Sequence, residues 1–205
     1  IDEAYSEYNP YKLAEEAKKA YNLLPQKYNS SHTDYPTVKF AYSSIVMSNI
    51  HITGIYPYVL PEAIVNIHTP IMSLPHTICH EMAHQRGFAR EDEANFIAFL
   101  ALSASEDSYL QYCAYMSMYD YILDSMYLYD SEMYFYLISC LDSRVKGEMY
   151  AYSVFFDRYR SSRASEFADS VNDTYIKAMG DDKGVDSYGL VVEIMCAYIK
   201  ERTLQ

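Results

Sequence analysis

The sequence has few basic residues and no tryptophan. Its 205 residues include 16 Lys and Arg against 28 Asp and Glu, which gives a formal net charge of −12. A nucleic-acid-binding protein would need a basic stripe, so this balance argues against a nucleic-acid partner. It weakly favours cationic or neutral substrates through long-range attraction, although solubility is the more common reason for an acidic chain.

Paired cysteine motifs and long apolar runs are also missing. No two of the four cysteines have the spacing of a metal or redox motif. We therefore expect all four to be small buried apolar residues: Cys79, Cys113, Cys140 and Cys196. One disulfide between two of them is the alternative. No stretch reaches the ~20 apolar residues that span a bilayer, and no segment has the pattern of a signal peptide.

Tyrosine supplies most of the aromatic content, with 24 Tyr and 8 Phe. Many tyrosines in the middle third recur at helical spacing, among them Tyr112, Tyr115 and Tyr119. Such residues usually pack with the ring against the core and the hydroxyl in water. A binding surface is the alternative, if exposed rings form a contiguous patch.

One short motif points to chemistry, because residues 80–84 spell H-E-x-x-H. Positions i and i+4 lie on one face of an α-helix, so His80 and His84 can reach the same ion. Two imidazoles and a carboxylate suit zinc with a fourth position open to water. Glu81 lies at the edge of that face, where it can accept a proton from the attacking water. The motif predicts metal-assisted hydrolysis, most often of a peptide bond.

The residues around the motif favour a helix packed in a core. Pro75 is placed to open this helix, and Gly87 follows where a C-cap or sharp turn is natural. The positions between give it apolar flanks: Ile78, Cys79, Met82 and Ala83. The alternative is a buried helix whose two histidines are only hydrogen-bonded.

A second helix after the turn offers a third ligand. Its acidic first turn, residues 91–93, suits the helix dipole. Glu91 and Asn95 share one face, whereas Glu93 points elsewhere. A helix folded back after Gly87 could bring Glu91 to the metal, with Asn95 orienting a ligand from behind. A catalytic zinc site needs three protein ligands, which favours Glu91 as the third ligand, with Glu93 as the other candidate. Alternatively, both acids lie on the surface and only interact favourably with the helix dipole.

The run from Glu91 to Asn95 after H-E-x-x-H resembles the E-x-x-A-[DN] third-ligand helix of the gluzincin metallopeptidases. That resemblance implies that Glu91 binds zinc and that Asn95 supports a histidine. A metzincin would have a histidine at position 90, where this chain has Arg90.

The stretch from Thr77 to Phe96 is closer still to a bacterial family catalogued as domain of unknown function 3810. That family is membrane-tethered and has a zincin-like core. The resemblance spans residues 35 to 200 approximately, with further matching pieces such as residues 54–56, 171–175 and 184–189. It implies that this chain is the soluble part of a membrane-anchored bacterial protein and lies outside the cytoplasm.

A hydrolytic zinc site usually also needs a donor for the oxyanion of the tetrahedral intermediate. Tyr188, in a stretch that matches the family, is the first candidate, and Tyr175 is the second. Core packing is the alternative for each tyrosine. His76 continues the helical stripe of the motif, and we expect it to lie at the helix start.

The whole chain, residues 1–205, is predicted to form a single α+β domain that is mostly helical, with a zincin-like core and a small β-sheet. The expected parts are an N-terminal helix and loop at 1–35, a strand-rich segment at 36–74, metal-binding helices at 75–105 and a helical part at 106–205. Helix breaks are expected near Gly87, residues 106–107, residues 130–131, Gly147 and Gly180.

These patterns together predict a zinc-dependent metallopeptidase that acts on a peptide or protein substrate. Zn²⁺ would be held by His80, His84 and Glu91, with Glu81 as the general base. One alternative is a catalytically inactive, zinc-binding regulatory domain, which would have no use for Glu81. Another is a tyrosine-rich helical binding module in which the motif is accidental and no stoichiometric zinc binds.

Overall fold

The structure is a computed structural model that describes residues 8–28, 35–159 and 188–203. The described residues form eight α-helices and three two-residue strands. In chain order these are α1 Pro10–Asn22, β1 Lys39–Phe40, α2 Ser44–Asn49, β2 Gly54–Ile55, β3 Ile64–Val65, α3 Leu74–Gln85, α4 Glu91–Ala104, α5 Ser108–Tyr129, α6 Ser131–Cys140, α7 Ser143–Asp157 and α8 Tyr188–Thr203. The expectation of a predominantly helical α+β fold with a small sheet is confirmed.

Aspartate caps begin three consecutive helices. The carboxylate of Asp107 accepts hydrogen bonds from the first turn of α5, that of Asp130 from α6 and that of Asp142 from α7. Each cap satisfies backbone N–H groups that have no partner within the helix. The breaks expected near residues 106–107 and 130–131 are therefore confirmed.

The break expected at Gly147 is wrong, since this residue lies inside α7. Gly147 is exposed, and nothing lies within 4 Å of the position that a Cβ would occupy. A glycine there costs the helix only ~1 kcal/mol. The chain instead breaks at Asp142, where a cap is available. Gly180 lies outside the described residues.

The three strands form one small mixed sheet in the order β1-β3-β2. β1 runs parallel to β3, and β2 runs antiparallel to it, with Gly54 opposite Val65 and Ile55 opposite Ile64. The strands are shorter than the alternating sequence patterns suggested, and α2 lies between β1 and β2. β2 and β3 both pack against α3, so the sheet covers one side of that helix.

Helices α3 and α4 form the centre of the core. They pack against each other, and α1 and α5 contact both, while α8 covers α4. The apolar flanks of α3 are fully buried: Ile78, Cys79, Met82 and Ala83. Polar side chains on these two helices are thereby held rigidly, with their exposed surface limited to one stripe.

The expectation that all four cysteines are buried is wrong for two of them. Cys79 and Cys113 are buried, whereas Cys140 and Cys196 are exposed, and all four are free thiols. Cys140 ends α6, a helix with no buried residue. The apolar composition of α6 therefore does not mean that its side chains are buried. No helix among the described residues is both long and apolar enough to cross a membrane.

Tyrosines of α5 join this helix to its neighbours through their hydroxyl groups. The Tyr112 hydroxyl donates to the carboxylate of Glu148 on α7 (2.5 Å), and the Tyr119 hydroxyl donates to the carbonyl of Leu137 on α6 (2.8 Å). Tyr115 is exposed, but its ring packs edge-on against another aromatic ring of the core. The expectation that these hydroxyls lie in water is therefore wrong for Tyr112 and Tyr119, which bond to neighbouring helices instead.

Candidate metal centre

The H-E-x-x-H motif lies in the second half of α3, where it brings two imidazoles together. The Nε2 atoms of His80 and His84 are 3.0 Å apart, and the rings are perpendicular. The Glu91 carboxylate closes the group, with Oε2 3.1 Å from Nε2 of His80 and Oε1 3.5 Å from Nε2 of His84. Among the described residues, these three form a group able to hold a metal ion.

A helix-terminating turn brings Glu91 to this place. Gly87 adopts a φ of +94°, and its N–H donates to the carbonyl of His84 (3.0 Å). The Phe88 N–H donates to the carbonyl of Ala83 (3.2 Å), which completes a Schellman motif. The chain then reverses, and α4 begins at Glu91 and runs back along α3. The left-handed backbone at Gly87 makes this reversal possible.

The other two acids of the α4 first turn lie outside the cluster. Asp92 is buried and forms an ion pair with Arg90, with Nη2 and Oδ2 2.6 Å apart. Glu93 is about half exposed and lies 3.8 Å from the Arg90 guanidinium. The structure therefore places Glu91, and not Glu93, beside the histidines.

Hydrogen bonds behind the two rings determine which nitrogen faces the cluster. Nδ1 of His84 lies 2.7 Å from the carbonyl oxygen of Phe88, which can only accept, so this nitrogen carries the hydrogen. Nδ1 of His80 lies 2.7 Å from Oδ1 of Asn95, which likewise accepts. When both rings are neutral, each Nε2 is therefore left with a lone pair that points at the other ring and at Glu91. Two lone pairs and a carboxylate this close repel one another unless a cation lies between them.

The spacing of these atoms suits zinc. Two nitrogens bound at ~2.05 Å to one tetrahedral zinc ion would lie about 3.3 Å apart. The three observed separations, 3.0, 3.1 and 3.5 Å, bracket that value. Of the two groups behind the rings, sequence patterns indicated Asn95 but not the Phe88 carbonyl, because a backbone atom has no side-chain signature.

The charges of the group also favour a cation. Burial lowers the pKa of His80, but the hydrogen bond and charge of Glu91 outweigh it and raise that pKa to about 9. Burial, and then the neighbouring His80, lower the pKa of His84 to about 4. The pair therefore favours one positive charge between the rings, and a bound metal would displace that proton.

Glu81 lies beside this group in a closely packed position. It is only 4% exposed, and its Oε2 has no hydrogen-bond partner among the described residues. Burial raises the pKa of its carboxyl group to about 8, although the charge of His80 opposes this. Such a group binds a proton readily near neutral pH, as a general base must.

Gly54 of β2 gives Glu81 its space. A Cβ atom at Gly54 would lie 2.7 Å from Cγ and 2.8 Å from Cδ of Glu81, with Oε1 closer still. The strand backbone therefore approaches the carboxylate as closely as a glycine allows. Sequence patterns did not indicate this contact, because it joins positions 27 apart in the chain.

The cluster opens into a cavity of about 780 Å³, within the usual size range of ligand sites. Residues 51–56 and Tyr58 form one wall, α5 and α7 form others, and α3 carries the two histidines of the cluster. His76 also lines the cavity, at the start of α3 as expected, and its Nε2 is buried without a hydrogen-bond partner among the described residues. Burial lowers the pKa of His76 to about 3, so its imidazole is neutral.

Tyr188 and Tyr175 were predicted to donate a hydrogen bond to the oxyanion. No contact among the described residues places either tyrosine at the cluster. Tyr188 is the first residue of α8, and its side chain lies outside the described part of the chain, as does all of Tyr175. Tyr58, which sequence reasoning missed, lines the cavity and is 38% exposed. Burial raises its pKa, and so do the charges of Glu91, Tyr56 and Glu81.

Comparison with known proteins identifies one family. A family model described as "Protein of unknown function (DUF3810)" matches residues 2–196 of the chain. No curated protein and no solved structure matches the chain.

Proposed function

Because this chain belongs to the family described as protein of unknown function (DUF3810), which names no activity, we propose a function from its site. We propose that it is a zinc-dependent metallopeptidase. One observation carries this proposal: Nε2 of His80, Nε2 of His84 and the Glu91 carboxylate converge within 3.5 Å. They lie beside the Glu81 carboxyl group, whose Oε2 has no hydrogen-bond partner among the described residues.

Each residue of the group has a role in this proposal. His80, His84 and Glu91 would hold the zinc ion, and Asn95 and the Phe88 carbonyl would keep the rings oriented. Zinc supplies Lewis acidity, which polarises a carbonyl group and lowers the pKa of water. Glu81 would accept the proton of the attacking water and deliver it to the leaving amine, as its raised pKa allows.

The sheet supports a peptide as the substrate. β2 is an edge strand of the sheet among the described residues, and residues 51–56 and Tyr58 line the cavity. An extended peptide could pair with the backbone of this edge while its scissile carbonyl reaches the metal. Tyr58 would then donate a hydrogen bond to the oxyanion, with Tyr188 as the other candidate.

Two broader proposals accompany this function. The pair of helices α3 and α4, with a sheet packed on α3, supports a zincin-like core. The resemblance to a membrane-tethered family supports a domain that is anchored to a bacterial membrane and lies outside the cytoplasm.

The inactive zinc-binding domain is the weaker candidate, because a structural site has no use for a buried acid such as Glu81, whose Oε2 has no hydrogen-bond partner among the described residues. A buried carboxyl group without a hydrogen bond is costly and is usually retained for function. The binding-module alternative requires the convergence of both histidines and Glu91 to be accidental.

Metal analysis of purified variants, combined with cleavage of a mixed peptide library, tests the proposal. We expect about one zinc per chain in the wild type and in Glu81→Gln, and cleavage by the wild type only. Glu91→Ala should lose the zinc, whereas Glu93→Ala, which removes an acid from the same helical turn, should keep it. A wild-type protein that takes up no zinc after reconstitution would overturn the proposal, and zinc retained in Glu91→Ala would overturn the ligand set.

A further inference from the structure

Helix α5 contributes two acidic side chains to the cavity, Asp120 and Asp124. They are four residues apart and so lie on the same face of the helix. Both are accessible to water, but they face a concave space whose walls displace part of the bulk solvent. Burial there, and then the charge of Asp124, raise the pKa of Asp120 to about 6.

Among the residues that the structure describes, neither carboxylate has a counter-charge. Among the described residues, neither Asp120 nor Asp124 has a hydrogen bond or an ion pair, and none of the residues that line the cavity is Lys or Arg. Two adjacent carboxylates without partners raise the energy of the folded chain, since like charges repel and their solvation is incomplete. A cation bound between them would remove that cost.

Other groups in the cavity also lack partners. Oε2 of Glu81, a side chain only 4% exposed, and Nε2 of His76 are both buried without a hydrogen bond among the described residues. Both residues line the same space as the aspartates. The cavity therefore has unused hydrogen-bonding capacity, as expected of a site for a polar ligand.

A second metal ion is the less suitable occupant. Among the described residues, the metal-capable group is His80, His84 and Glu91, and no third ligand joins the two aspartates. Zinc takes three or four protein ligands and calcium about six to eight oxygens, so two carboxylates alone complete neither kind of site. An ammonium or guanidinium group, in contrast, is well held by one or two carboxylates.

The position of the pair favours a side chain over the amino terminus of a substrate. Tyr121, next to Asp120, has its ring 6.0 Å from that of His76, which in turn lies 6.3 Å from the ring of His80. Tyr121 is thus separated from the metal ligand His80 by the ring of His76. An α-ammonium lies only about 2.5 Å from the carbonyl carbon of its own residue. The longer side chains of Lys and Arg can cover the larger distance.

We propose that Asp120 and Asp124 form a subsite that selects peptide substrates with Lys or Arg close to the scissile bond. This inference rests on the proposed peptidase function. A hydrogen-bonded charge pair in a partly dehydrated site should change kcat/KM by roughly 10- to 100-fold.

The test uses the zinc-loaded full chain and matched peptides that differ at one position, with Lys, Arg, norleucine or Glu. Each peptide is made with a free and with an acetylated amino terminus. We expect the wild type to prefer Lys and Arg over norleucine by roughly 10- to 100-fold and to discriminate most strongly against Glu. Asp120→Asn and Asp124→Asn should lose most of this preference while keeping their zinc.

Glu132→Gln is the matched control, because it removes one exposed acid of α6 that does not line the cavity. It should leave the preference unchanged. Equal losses for all four peptides in the aspartate variants would overturn the subsite. A preference that disappears on acetylation, whatever the side chain, would assign the cation to the amino terminus and would also overturn it.

Binding to Glu81→Gln separates this inference from the proposed function. The Kd of the Lys peptide should be about 10-fold lower than that of the norleucine peptide, and Asp120→Asn in the same background should remove the difference. Such binding without any cleavage by the wild type would retain the subsite and refute the peptidase. Equal Kd values for both peptides would refute the subsite.

Discussion

Replacing Gly54 by alanine should separate metal binding from catalysis. The new Cβ atom would lie 2.7 Å from Cγ and 2.8 Å from Cδ of Glu81. Carbon atoms are normally separated by at least ~3.5 Å, so the carboxylate or the strand must move by about 0.7 Å or more. Glu81 is almost fully buried, which leaves it little room to move without disturbing its neighbours.

The magnitude of the effect follows from that displacement. A shift of about 1 Å in a catalytic group can reduce the rate by ~100-fold. Inserting a methyl group into a packed site also costs roughly 1–3 kcal/mol of stability. Alanine is otherwise compatible with this position, because Gly54 lies in a strand and does not have a positive φ.

The assay combines kcat/KM on a cleavable peptide, zinc content and thermal unfolding. We expect Gly54→Ala to keep its zinc, because the three atoms nearest the new methyl group all belong to Glu81 and none belongs to a proposed ligand. Gly147→Ala is the control, since its Cβ would meet nothing and would stabilise α7 by about 0.5–1 kcal/mol. Wild-type kcat/KM in Gly54→Ala would refute the role of a closely held Glu81.

Three further predictions concern neighbouring residues. Asn95→Ala should weaken zinc binding by ~10- to 100-fold in a competition with a chelator, because Nδ1 of His80 loses its partner; unchanged affinity would exclude this supporting role. Tyr58→Phe should lower kcat by at least ~100-fold with zinc content unchanged, if its hydroxyl stabilises the oxyanion; a normal kcat would leave that role to another donor. Asp120→Asn should raise the melting temperature at pH 7.5 by ~2–4 °C, and the gain should shrink towards pH 5. The folded-state pKa of Asp120 is raised from 3.8 to about 6, so the wild type loses stability as the pH rises through this window, and asparagine cannot ionise; a gain that is independent of pH would contradict this cause.

Local spacing was enough to indicate the metal-binding stripe. His80 and His84 are four residues apart on a helix, and Asn95 follows Glu91 by the same interval, so their faces follow from helical geometry alone. Gly87 also predicted the turn between the two helices, because few residues other than glycine adopt the left-handed backbone conformation that a Schellman motif requires. The sequence also predicted that helices predominate, because the periodicity of apolar residues is a short-range signal.

Several sequence expectations failed where local signals competed. Gly147 suggested a break, but Asp142 five residues earlier offers a cap, and the helix continues through the glycine. Cys140 and Cys196 were expected in the core, but they lie on helix faces that no other described element covers. Composition indicates which residues can be buried, whereas packing decides which faces are.

The sequence by itself determined the chemistry that this chain can offer: two imidazoles, a carboxylate ligand and an adjacent acid at helical intervals. The tertiary structure decided the environment in which they act. It set Gly54 against Glu81, the Phe88 carbonyl behind His84, and the two aspartates of α5 in the same cavity. These contacts join segments that are distant in the chain or involve backbone atoms, and their energies arise from packing, which no local pattern of residues encodes.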